Sequence, residues 1–144
     1  MNSRENRFQT CGDQLEILDN EHTEIRRQYI ELDDAILQGE GSARILEAAA
    51  ELAQTMGTHF THEEEFQETN LIPVFEKQSS TGRATMAEIM MIAQRLQQGE
   101  VYAALRLRGL CKGWMHEHMY VENVEFGIAS LAFANESDRI RAQI

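Results

Sequence analysis

Apolar residues recur along this chain in alternating steps of three and four, the period that lines side chains up on one face of a helix. Leu15, Leu18, His22, Ile25, Tyr29, Leu32 and Ile36 form the first stripe. It stops at Gln38-Gly39-Glu40-Gly41, where glycine can take the left-handed conformation that ends a helix, and Ser42 follows as an N-cap. The second stripe is Ile45, Ala49, Leu52, Met56, His59, Glu63 and Phe66, on a helix that reaches Thr69 or Asn70.

Asn70-Leu71-Ile72-Pro73 then breaks the pattern. The third helix opens either at Pro73, running through the poor helix formers Gln78-Ser79-Ser80-Thr81-Gly82, or afresh near Thr81. Met86, Ile89, Ala93 and Leu96 are its apolar face, and it ends at Gln98-Gly99. The fourth helix starts near Glu100 and turns Leu107, Cys111, Trp114, His118 and Val121 inward. It is expected to continue, with a bend near Gly127, through Phe133. Residues 1–12 read as a polar arm and 135–144 as a polar tail. No run alternates apolar and polar positions as a half-buried strand would. The pattern predicts an all-α chain of 144 residues: a single up-down-up-down four-helix bundle with an N-terminal arm and a C-terminal helical extension.

Composition narrows the partners. A formal charge of −11 argues against nucleic acid and against an anionic membrane surface. No apolar run approaches the roughly 20 residues that a spanning helix needs, and the polar start of the chain leads into no signal-like apolar segment. A cytoplasmic location is expected. Cys11 and Cys111 are too few for a disulfide framework and lack metal-site spacing. They read as reduced thiols, with a Cys11–Cys111 bridge as the alternative.

Three of the four stripes carry a histidine near their centre: His22, His59 and His118. Glu63 lies four residues after His59 and so faces the same way. Ionisable groups in a helical core are normally paired or bound to metal, because an unpaired buried charge costs several kcal/mol. Two imidazoles and a carboxylate make a facial set suited to iron(II), and imidazole also serves zinc, copper or nickel. The plainer reading of each histidine taken singly is a hydrogen-bonded core residue. Among the neighbours, His62 reads as a supporting or surface residue and His116 as exposed. Trp114, Met86 and the Met90-Met91 pair read as core, as does Tyr29, with a hydrogen bond to a ligand as its functional alternative; Glu64 and Glu65 read as solvated.

These residues also carry a resemblance. Asp19-Asn20-Glu21-His22, His59-Phe60-Thr61-His62-Glu63-Glu64 and Trp114-Met115-His116-Glu117-His118-Met119 resemble, in order, the first-helix motif, the H-F-x-x-E-E motif and the W-L-x-x-H-I motif of the hemerythrin family, in particular its bacterial hemerythrin-like domains. The resemblance implies a bundle that holds two irons and binds dioxygen at one of them. By position it implies that His22 and His59 are ligands of the oxygen-binding iron, Glu63 a bridging carboxylate and His118 a ligand of the other iron. The third helix, however, should carry H-x-x-x-H, and the corresponding positions are Gln78 and Gly82. The second bridging carboxylate should stand five residues after His118, where this chain has Asn123. Glu122 and Glu125 are replacement candidates, with a solvated helix face as their plainer reading. Absent side chains at Gly82 and Gln78 are expected to leave space, for Met86, Phe75, water or a ligand to fill.

The function expected is therefore a hemerythrin-like non-haem metal protein with one iron, or an asymmetric pair, and zinc as the other candidate metal. It would bind a small ligand such as O2 or NO in sensing, storage or transfer and is not expected to be an enzyme, with oxidase or peroxidase activity at an open iron site as the alternative. The alternative is a metal-free regulatory or interaction module with a small ligand in the vacated space.

Overall fold

The computed structural model describes residues 11–70 and 76–118, leaving aside the side chains of residues 11 and 76–79. They form four helices: α1 Cys11–Leu37, α2 Ser42–Asn70, α3 Glu76–Gln97 and α4 Ala103–His116. α2 packs against α1 and α3, and α4 packs against α3 and α1, which closes the ring of a four-helix bundle. Among the described residues no helix is long and apolar enough to cross a membrane. The arm, the helical extension beyond His118 and the tail lie outside the described residues, and with them Phe75, Val121, Glu122, Asn123 and Glu125; Gln78 is described as helical backbone only.

The glycine stops act as expected. Gly39 and Gly99 have φ of 65° and 100°, a region that only glycine enters without strain. Around each, the helix closes by paired bonds: Gly39 N–H to Ile36 and Glu40 N–H to Ala35, then Gly99 N–H to Leu96 and Glu100 N–H to Arg95. This is the double closure that satisfies the last carbonyls of a helix. Its effect is to turn the chain within a few residues, so that consecutive helices run antiparallel.

The starts differ in detail from the sequence expectation. Gly41 supplies the carbonyl that accepts the Ile45 N–H at 3.2 Å, so Gly41 is the capping residue of α2 and Ser42 its first helical residue. α4 begins at Ala103 rather than near Glu100, after a turn in which Ala103 N–H bonds the Glu100 carbonyl. α3 does not start afresh near Thr81: it is described from Glu76 and runs unbroken through Ser79-Ser80-Thr81-Gly82, while the alternative start at Pro73 lies outside the described residues. Weak propensity there is overridden by packing: Gly82 is buried against α2, and Arg83 reaches across to Glu64 and Thr61.

The α2 stripe and the described part of the α4 stripe are buried as read, and the α3 stripe in part. On α2 every member from Ile45 to Phe66 is buried, and on α4 Leu107, Cys111, Trp114 and His118 are. On α3, Ile89 and Ala93 are buried while Met86 and Leu96 pack on the core edge. On α1 the buried line is rotated: Leu18, Ile25, Gln28, Leu32 and Ala35 are buried, whereas Tyr29 and Ile36 are only partly so. α1 therefore turns its Glu21–Gln28 flank toward α2. Met91 is 48% exposed and is not core filler. Burying each large apolar side chain of this core contributes about 1.5–3 kcal/mol. The core holds Cys111 as a free, buried thiol.

Candidate metal centre

Packing of the stripes brings His22 from α1, His59 and Glu63 from α2, and His118 from just past α4 to one point. His118 stands one turn beyond Trp114, just past the end of α4, where Glu117 N–H still bonds the Gly113 carbonyl. His59 Nε2 stands 2.9 Å from His22 Nε2 and 3.3 Å from His118 Nε2. Glu63 Oε1 lies 2.7 Å from His59 Nε2, 3.6 Å from His118 Nε2 and 3.9 Å from His22 Nε2. Nitrogen and oxygen ligands about 2.0–2.1 Å from one tetrahedral ion would stand about 3.3 Å apart; the separations to His59 and Glu63 straddle that value, and the whole group spans 4.8 Å.

The protonation chemistry of the cluster is restrictive. His59 Nδ1 is 3.1 Å from Glu21 Oε1, and the other Glu21 oxygen bonds His62 Nδ1. Burial pushes the Glu21 pKa up, but the hydrogen bonds from His59 and His62 outweigh it and hold it below the ordinary carboxylate value. As a carboxylate, Glu21 accepts, so His59 must donate from Nδ1. That leaves a neutral His59 with its Nε2 lone pair against Glu63 Oε1 at 2.7 Å. Two acceptors cannot stay that close without a proton or a cation between them. Burial opposes charge on His59, yet its bonds to Glu21 and Glu63 raise its pKa to about 9. Burial likewise pushes Glu63 up, and its bonds with His22 and His59 bring it down to about 2. His22 is lowered, by burial first and by the neighbouring His59 and His118 besides, against the pull of Glu63. The donor set thus fits a divalent cation: imidazole nitrogens and a carboxylate oxygen converge, and a carboxylate orients one imidazole from behind.

Access is one-sided. The side chains of His59, Glu63 and His118 are at most 3% exposed, whereas that of His22 is 15% exposed, so the α1 face is where solvent reaches the cluster. Deeper in, Trp114 stacks on His118 with ring centroids 4.8 Å apart and planes 10° from parallel. Phe60 meets both rings edge-on at 6.0 Å. These aromatic contacts fix the His118 ring.

The third helix faces the cluster with Gly82, and the expected space beside it does not exist. A Cβ placed on Gly82 would stand 2.2 Å from Phe60 Cζ and within 2.8 Å of both flanking ring carbons. The Phe60 ring fills that position, and Phe60 is fully buried. Neither Met86 nor solvent fills it; Met86 Sδ packs instead one turn earlier on the same face of α2, at the Cβ position of Gly57. A side chain at 82 is therefore sterically excluded while Phe60 stays where it is.

His62 has its supporting role through Glu21, and His116 is exposed, as is Glu64, which pairs with Arg83. Two contributors went unread in the sequence. Glu21 was visible only as an acid beside His22; its signal is that it points toward α2, where His59 and His62 stand one turn apart. Gln67 continues the His59–Glu63 line by one more turn and is 6% exposed.

An all-α bundle with histidines and a carboxylate gathered at its centre is a class of helical protein compatible with metal binding. A family model, the hemerythrin HHE cation-binding domain, matches residues 13–127, and the chain belongs to the hemerythrin family. Comparison with curated proteins and with solved structures gives no match.

Proposed function

We propose that this protein is a mononuclear non-haem iron protein of the hemerythrin family. His22, His59, His118 and Glu63 would hold the ion, with zinc as its chief competitor for the same donors. The observation that carries this reading is the pairing of a converged donor cluster with a blocked neighbour. Four ligand atoms meet on the α1–α2–α4 side, while Phe60 occupies the Gly82 position from which a third-helix ligand to a second ion would come. Iron so held would supply open coordination positions and a one-electron couple. The chain's own residues do the rest: Glu21 orients His59, the aromatic pair orients His118, and the part-exposed His22 marks the entry side. The role proposed is binding of a small diatomic such as O2 or NO for sensing, storage or transfer, without catalysis.

Metal analysis of protein made in iron-replete medium tests this. About one equivalent, lost in His59→Ala, is expected. Two equivalents would overturn the mononuclear reading, and none above trace would overturn metal binding. If iron binds only the folded chain, saturation at 100 times Kd raises stability by about 2.7 kcal/mol. A melting transition unmoved by chelator contradicts that linkage. The rival reading, a metal-free interaction module, draws on the 2.7 Å His59–Glu63 contact, which a shared proton satisfies as well as a cation does. It predicts the trace-metal outcome.

A further inference from the structure

Two buried polar atoms on α2 have no hydrogen-bond partner among the described residues: Glu63 Oε2 and Gln67 Nε2. Both residues are more than nine-tenths buried. They are four apart on one helix, so the two side chains share a face one turn apart. Their polarities are complementary, since Glu63 Oε2 only accepts and Gln67 Nε2 only donates. Yet they do not bond each other.

The opposing helix offers neither atom a partner. The Gln14–Asn70 and His22–Glu63 contacts set the antiparallel register of α1 on α2. That register places Leu18 across from Phe66 and Gln67, and Leu18 is buried and apolar. Buried polar groups are nearly always satisfied, and a small cavity holds water when polar partners converge on it.

We propose that Glu63 Oε2 and Gln67 Nε2 form a two-point cradle for one protic, water-sized oxygen ligand beside the cluster. The ligand donates a hydrogen to Glu63 and accepts one from Gln67. An aprotic anion could use only Gln67 and would meet the Glu63 carboxylate head-on. Gln67 is then a positioning residue for the solvent-derived ligand at the centre proposed above. The inference rests on that reading only for the ligand's proximity to metal; the cradle itself is built from protein.

Water magnetic relaxation dispersion, which counts long-lived internal waters, tests it on the metal-free chain and again with one equivalent of zinc. The wild type is expected to hold one more long-lived water than Gln67→Met. Gln67→Leu serves as a second variant should the first fail to fold. Equal water counts in wild type and variant would overturn the cradle. A one-water difference in a protein that takes up no metal would support the cradle and overturn the metal reading. Normal zinc uptake with equal counts would do the reverse.

Discussion

At the level of His59 the bundle has two unlike sides. Toward α1 and α4, imidazole nitrogens and a carboxylate oxygen converge, the closest pair 2.7 Å apart and all of them within 4.8 Å of one another. Toward α3, Gly82 meets the ring of Phe60 with no room for even a methyl group. Both sides are buried, but one gathers charge that must be shared with a proton or cation, and the other is closed by packing. The polar side is held by contacts between elements. The apolar side is held by the absence of a side chain, and it lets α2 and α3 approach closely.

The comparison can be broken from the packed side first. Phe60→Ala should cost about 3–5 kcal/mol of stability, because the ring is fully buried and the void cannot collapse onto a fixed helix pair. Chemical denaturation reads this directly, and a loss under 1 kcal/mol would mean the ring is not wedged. Gly82→Ala should destabilise by about 1–3 kcal/mol from overpacking, although alanine gains about 1 kcal/mol in a free helix. In the double variant the two losses should not add, since removing the ring makes room for the methyl. Additive losses would show that the contact is not what resists substitution.

The polar side is sharpened through Glu21. Glu21→Gln should weaken metal binding about 10–100-fold while leaving the stoichiometry unchanged, as expected for a group that orients a ligand from behind. Competition with a chromogenic chelator measures it, and an unchanged Kd would reduce Glu21 to a surface partner of His62.

Cys111 probes how dry the shared core is. Burial, aided by Asp33, pushes its thiol from 9.0 up to about 12. The unfolded thiol ionises first as pH rises past 9, so this stability is complete below pH 9 and lost on the way to pH 12. The loss should be roughly 1 kcal/mol by pH 10, and Cys111→Ala should flatten that part of the profile. A profile identical to wild type would place the thiol in contact with solvent. The smallest effect belongs to the rim. Arg83→Ala breaks an exposed pair with Glu64 and should change stability by less than about 1 kcal/mol, as judged by thermal melting.

Much of this was legible beforehand, and the exceptions share a cause. Periodicity located the buried stripe on α2 and the described part of the one on α4, because a largely apolar stripe has one orientation that buries it. The α1 stripe was rotated because Tyr29 and Ile36 tolerate partial burial, whereas Gln28 is not marked by its chemistry as a buried residue. On α3 the break near Thr81 that propensity allowed is not taken, because propensity speaks for isolated segments and Gly82 is held by a contact with another helix.

What the sequence by itself determined is the all-helical bundle, its glycine stops and the identity of the residues that meet at its centre. Those follow from local rules of period and backbone conformation, which need no knowledge of neighbours. Only the tertiary structure decided what each residue faces. It showed Glu21 behind His59, the Phe60 ring in the position a third-helix side chain would need, and two complementary polar atoms of Glu63 and Gln67 left to a third party. Each is a relation between side chains whose separation depends on how helices rotate and approach. That geometry is fixed by packing, not by spacing along the chain.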